Sequence, residues 1–169
     1  MERVTFIKVS PNYRKAVLLG IGAQLSNLTF ASCESIDIAD LVACPALEVL
    51  RILFSSTLFL PENPVEKFSV HNAFLPKLHH LESDICLHEN YSHLFEEKRS
   101  MTHLELDCCH VHTKASTMNW NDITKCWQRI QFLRIRQCTG LDMTSVKSLP
   151  LQLTKLKELN LPFGNQFLI

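Results

Sequence analysis

Residues 103–109 read "HLELDCC", and residues 80–86 read "HLESDIC", so histidine, leucine, glutamate, aspartate and cysteine recur in the same order. This pair has two physical readings. Imidazole, carboxylate and thiolate all ligate metals, which would make it a duplicated metal or thiol site. In an extended strand, however, successive side chains point to opposite faces. Leu104 and Leu106 would then enter a core together, while His103, Glu105 and Asp107 share the open face.

The second reading extends along the chain. A spacing L-x-x-L-x-L-x-x-C runs through "LSNLTFASC" from Leu25, "LEVLRILFS" from Leu47 and "LHHLESDIC" from Leu78. It continues in "MTHLELDCC" from Met101, "IQFLRIRQC" from Ile130 and "LKELNLPFG" from Leu156, and a weaker first copy, "VTFIKVSPN", starts at Val4. The seven starts lie 21, 22, 31, 23, 29 and 26 residues apart, a period that belongs to stacked repeats.

Between the copies the periodicity changes. Ile38, Leu41 and Val42 have helical spacing, with Asp37 as N-cap and Pro45 closing the segment. Tyr91, Leu94 and Phe95 repeat that spacing after Asn90, as do Ile123, Cys126 and Trp127 after Asn121. Val65 and Phe68 follow "NP", which suits a helix start. Met143, Val146 and Leu149 precede Pro150. Each unit reads as a short strand, a turn and a short helix.

These copies resemble the leucine-rich repeat family, and the resemblance covers nearly the whole chain. It implies an α/β solenoid of about seven repeats in one domain over residues 1–169, with parallel strands on the concave side and short helices on the convex side. It also implies that the ninth-position cysteines, Cys33, Cys86, Cys109 and Cys138, are buried and satisfy loop backbone.

Within the family, "CESIDIADLVACPALEVLRI" and "CTGLDMTSVKSLPLQLTKLKELNL" resemble the cysteine-containing repeats of F-box leucine-rich repeat proteins. That resemblance implies a receptor that presents a substrate protein to a cullin-RING ubiquitin ligase of the SCF type. The alternative is a repeat domain of the ribonuclease-inhibitor or innate-immune-receptor kind, which binds proteins with no ligase link. No F-box precedes the first copy and neither end carries a polar cap. The expectation is a truncated chain, a fragmentary gene product or a domain whose ends are covered by a partner, with the adaptor-binding half of the family pattern missing.

Composition narrows the functional classes. A hydrophobic fraction of 46% and a charged fraction of 20% are ordinary for a folded domain. Lysine plus arginine equals aspartate plus glutamate at 17 each, so net charge offers no drive toward nucleic acid or an anionic membrane. The opening "MERVTFIKVS" lacks the succession of a secretory signal, and no apolar run reaches the ~18 residues of a membrane span. With an odd count of 7 cysteines, a reducing cytoplasmic or nuclear setting is expected. Glycosylation is then not expected at Asn27 or Asn90, despite their N-x-[ST] spacing.

Enzyme chemistry finds little support. "CCHVH" brings Cys108, Cys109, His110 and His112 together, but without a C-x-x-C or H-x-x-x-H pair. Nothing sets a general base and an oxyanion donor against one thiol, and 4 glycines build no phosphate loop. The expectation is a non-catalytic binding protein with no cofactor and no bound metal.

A repeat register aligns the outward residues in rows. One row is Lys8, Thr29, Arg51, Glu82, Glu105, Arg134, Asn160, and another is Ser10, Ala31, Leu53, Asp84, Asp107, Arg136, Pro162. His80 and His103 lie two positions before the glutamates. Glu82 beside Glu105 and Asp84 beside Asp107 are unfavourable like-charge neighbours unless compensated. Three accounts stay open: solvated pairs of Arg51 with Glu82 and of Arg134 and Arg136 with Glu105 and Asp107, recognition of a basic partner segment, or a metal on His80, Glu82, His103 and Glu105. Phe54, Phe132 and the arginines are the candidate anchors. Trp127 has core spacing, whereas Trp120 falls in the irregular stretch 113–122; that stretch and residues 55–64 are insertions that could carry function.

Overall fold

The copies from Leu47, Leu78 and Leu156 each open with an apolar residue that a tight turn delivers to the sheet. The N–H of Leu47 donates to Cys44 O, that of Leu78 to Leu75 O and that of Leu156 to Leu153 O, at 3.1, 3.1 and 2.9 Å. Proline stands at the second turn position in two of these, Pro45 and Pro76, where its fixed φ suits the geometry. The computed structural model describes residues 2–54, 58–59, 75–84, 101–107, 128–136, 143–161 and 166–168.

These contain strands β1 (Glu2–Ile7), β2 (Leu25–Ala31), β3 (Ile36–Asp37), β4 (Val49–Leu53), β5 (Leu58–Phe59), β6 (His80–Ser83), β7 (His103–Asp107), β8 (Phe132–Arg136), β9 (Glu158–Asn160) and β10 (Gln166–Leu168). Helices α1 (Pro11–Ile21) and α2 (Met143–Gln152) accompany them, with 3-10 segments at Gly22–Gln24 and Ile38–Ala43. The main sheet runs β1-β2-β4-β6-β7-β8-β9-β10. Its first seven strands are parallel, each to the next. β3 and β5 form a second, two-stranded parallel sheet. The chain is therefore α/β, built on a parallel sheet.

The register forms columns. Val4, Leu28, Leu50, Leu81, Leu104, Leu133 and Leu159 are successive partners across the sheet. From Leu28 onward every member is buried, as are Phe30, Ile52, Leu106 and Ile135 in the next inward column. Burying each such side chain contributes ~1.5–3 kcal/mol. Ser83 is the polar exception in that second column, and it too is buried.

Two expectations need correction. The first copy lies three residues nearer the start than Val4–Asn12: Thr5 pairs with Thr29 and Ile7 with Ala31, so Thr5 and Ile7 take the places assigned to Lys8 and Ser10. Pro11 begins α1 in the first helical turn, where its missing N–H costs nothing, and the strand must end before it. A shift by an odd number exchanges faces, which buries Phe6 and leaves Ile7 64% exposed. Secondly, β10 turns back and pairs antiparallel with β9, the one departure from parallel pairing among the described strands. The helical spacing of Met143, Val146 and Leu149 is realised in α2, which runs through Pro150 to Gln152.

The expected N-cap at Asp37 is present, its carboxylate accepting from the N–H of Ala39 at 2.8 Å, but the segment it starts is a 3-10 helix. Cys33 is buried, with its thiol toward Phe6 O at 3.4 Å and Ala31 O at 3.6 Å, so it joins two strand ends. Cys44 is also buried, and burial pushes its thiol up to about 11. Asn27 lies on β2 at 8% exposure and donates to Ser26 Oγ, which leaves no room there for a glycan. Cys86, Cys108, Cys109, His110, His112 and Cys138 lie outside the described residues, as do Trp120, Trp127 and the helices expected near Val65, Tyr91 and Ile123.

Candidate functional site

Strand alternation turns one set of side chains outward, and the parallel register sets them side by side. The central row runs Thr5, Thr29, Arg51, Glu82, Glu105, Arg134, Asn160. Neighbours in it are ~4.8 Å apart along the sheet. Arg51 Nε donates to Glu82 Oε2 at 3.0 Å, and Arg134 donates from a guanidinium nitrogen to Glu105 Oε2, also at 3.0 Å. All four side chains keep about a third of their surface exposed, at 31–38%. Each bridge then contributes only ~0–1 kcal/mol. The bridges face away from each other, so Glu82 and Glu105 stand directly opposed with no cation between them among the described residues.

Two positions earlier, Val49, His80, His103, Phe132 and Glu158 form a second row. Its three rings stack. His80 and His103 have centroids 5.5 Å apart and planes 6° from parallel, and His103 and Phe132 are 4.3 Å apart at 16°. His103 Nδ1 lies 2.8 Å from Thr102 Oγ1. His80 Nε2 is buried with no hydrogen-bond partner among the described residues. Burial chiefly, then Arg51 and His103, pushes the His80 pKa below its ordinary value. Burial and then His79 do the same to His103, against the opposing pull of Glu105.

The third row shows how the strand ends are held. Lys8, Ser32 and Phe54, each one residue past its strand, adopt left-handed φ values of 52°, 51° and 54°. Such values are uncommon outside glycine, and their recurrence at one register marks a shared exit turn rather than isolated strain. The N–H of Lys8 donates to Ala31 O at 3.1 Å and that of Ser32 to Leu53 O at 2.8 Å. At Phe54 the N–H is taken by the carboxylate of Asp84. The ring of Phe54 is left 81% exposed.

Phe54 and Asp84, with Glu82, Glu105, Arg134 and Arg136, border a shallow slot of about 150 Å³ at the carboxyl ends of β4, β6, β7 and β8. The slot and rows thus gather Arg51, His80, Glu82, Asp84, His103, Glu105, Phe132, Arg134 and Arg136. Asp107 pairs with Arg136 in the register, and its side chain lies outside the description. The sequence reading missed the part Asp84 plays in holding Phe54, because that contact joins residues 30 apart in the chain. The ring ladder was legible in principle, since His80, His103 and Phe132 occupy the same position of three successive copies.

Among the described residues no group of three or more histidine, cysteine, aspartate or glutamate side chains could hold a metal ion. No described helix is long and apolar enough to cross a membrane. Comparison with protein-family models, with curated proteins and with solved structures finds no match.

Proposed function

We propose that this chain is a non-catalytic leucine-rich repeat module that binds a protein partner through the outward face of its sheet, in the manner of an F-box-type substrate receptor of a ubiquitin ligase. The observation that carries the binding role is the face itself: opposed glutamates flanked by arginines, beside a ladder of three rings. Arginine and aromatic side chains are the usual anchors of protein interfaces. A slot of about 150 Å³ is too small for a drug-sized ligand, whose pockets run ~300–1,000 Å³, whereas a row crossing several strands suits an extended protein surface. The receptor role rests on the cysteine-containing repeats, with Cys33 in the expected structural place and "CPALEVL" opening the next strand.

Affinity purification under reducing conditions tests both parts. Wild-type protein is compared with Glu82→Lys plus Glu105→Lys, two outward changes that leave the core leucines intact. A directly bound partner that is lost from the variant is the expected result, and one retained at full yield contradicts the binding face. Recovery of the partner's ubiquitin conjugates with it is expected of the receptor role; their absence under proteasome inhibition contradicts that role.

A further inference from the structure

The slot has a chemistry of its own. Glu82 and Glu105 each commit only Oε2 to an arginine, so each Oε1 is without a hydrogen bond among the described residues. Arg134 is already occupied by Glu105. The carboxylates of Glu82, Asp84 and Glu105 are matched in number by the guanidiniums of Arg134, Arg136 and, bonded to Glu82 from the neighbouring strand, Arg51, so what the slot offers a cation is the pair of free Oε1 atoms rather than net charge. The opposed glutamates repel each other at the strand spacing. Phe54 adds an exposed aromatic wall whose backbone N–H is tied to Asp84. The volume suits one long side chain.

Resting on the protein-binding reading above, we propose that this slot receives an arginine side chain of the partner, its guanidinium bridging Glu82 and Glu105 and stacking on Phe54. A planar guanidinium can donate to two carboxylates at once and lie flat on a ring, which a lysine ammonium cannot do in the same way. Insertion places a positive charge between the two opposed glutamates. An anionic side chain would meet the two free glutamate oxygens instead.

The test uses the full chain and three blocked peptides, acetyl-Gly-Arg-Gly-amide and its lysine and citrulline counterparts, followed by amide chemical shifts. The arginine peptide is expected to give saturable shifts at Phe54, Ser83, Glu105 and Arg134, the lysine peptide weaker binding, and the neutral citrulline peptide none. Glu82→Gln plus Glu105→Gln should abolish the response with the spectrum otherwise folded. Phe54→Ala, a change at an exposed ring, should weaken it about two- to fivefold. Absence of saturable shifts, equal binding of lysine or citrulline, or persistence in the glutamine variant overturns the proposal. Failure here combined with partner loss in the charge-reversed variant would leave the binding module standing and remove only its occupant; failure of both removes both.

Discussion

Arg14 and Arg51 are the same side chain put to opposite uses. Arg14, on α1, is only 3% exposed and forms no salt bridge among the described residues; its guanidinium donates to the carbonyls of Val9, Glu34 and Ser35, the last two at 2.8 and 2.9 Å, and lies 5.8 Å from the Phe30 ring centre. It ties α1 to the chain leaving β1 and to the turn after β2. Arg51 is about a third exposed, at 32%, and holds one oxygen of a glutamate on the open face. The contrast separates an arginine that closes the fold from one left on the open face of the sheet. Hydrogen bonding to buried backbone is hard to replace, while a solvated ion pair is nearly dispensable for stability.

The largest effect should therefore come from Arg14. Arg14→Ala strands three carbonyls and is expected to cost ~3–5 kcal/mol, read as a fall in the urea midpoint. Arg14→Met, which keeps the packing of the stem, should recover only part of the loss. A cost below ~1 kcal/mol would erase the distinction between the two arginines.

Gly22→Ala comes next. An added Cβ would meet Ala43 O at 2.6 Å and Cys44 Sγ at 3.1 Å, both fixed where α1 meets the 3-10 segment. Overpacking of this kind costs ~1–3 kcal/mol. Gly20→Ala, with nothing within 4 Å, is the matched control and should be neutral or slightly stabilising.

The ring ladder gives a pH dependence. Both imidazoles have folded pKa values below the ordinary 6.5, so the unfolded chain takes up protons first as pH falls. Above pH 6.5 both states hold them neutral and they add no slope; below it stability declines until the folded pKa values are passed. Denaturant midpoints between pH 7 and 5 should fall less steeply in His80→Phe than in wild type. An unchanged slope would show that the ladder does not disfavour the charged imidazole.

The smallest effect belongs to the open face. Arg51→Ala should change stability by no more than ~1 kcal/mol, and less still in high salt.

How much of this could be read from the sequence depended on which force set the pattern. Strands β2, β4, β6, β7, β8 and β9 were legible because each repeats apolar residues at fixed spacing, and their register brings Arg51 to Glu82 and Glu105 to Arg134 as the rows required. Helix α1 was not legible, since Arg14 interrupts the stripe it shares with Val17, Leu18 and Ile21, and its burial depends on carbonyls 20 and 21 residues away. The first copy was misplaced because Val4, Ile7 and Val9 imitate the repeat spacing, whereas the proline of α1 and the stacking of Phe6 on Phe30 fix the true register. At the slot, charge was legible one residue at a time. The place of Phe54 was not, because it is set by an exit turn and by a carboxylate from the next strand.

Equivalent side chains of successive strands stand in columns, and ring-to-ring nuclear Overhauser effects measure that directly. A strong cross-peak is expected between His103 and Phe132, a weaker one between His80 and His103, and none between His80 and Phe132, following centroid distances of 4.3 and 5.5 Å for the neighbouring pairs. A contact between His80 and Phe132, or none between His103 and either neighbour, would contradict it.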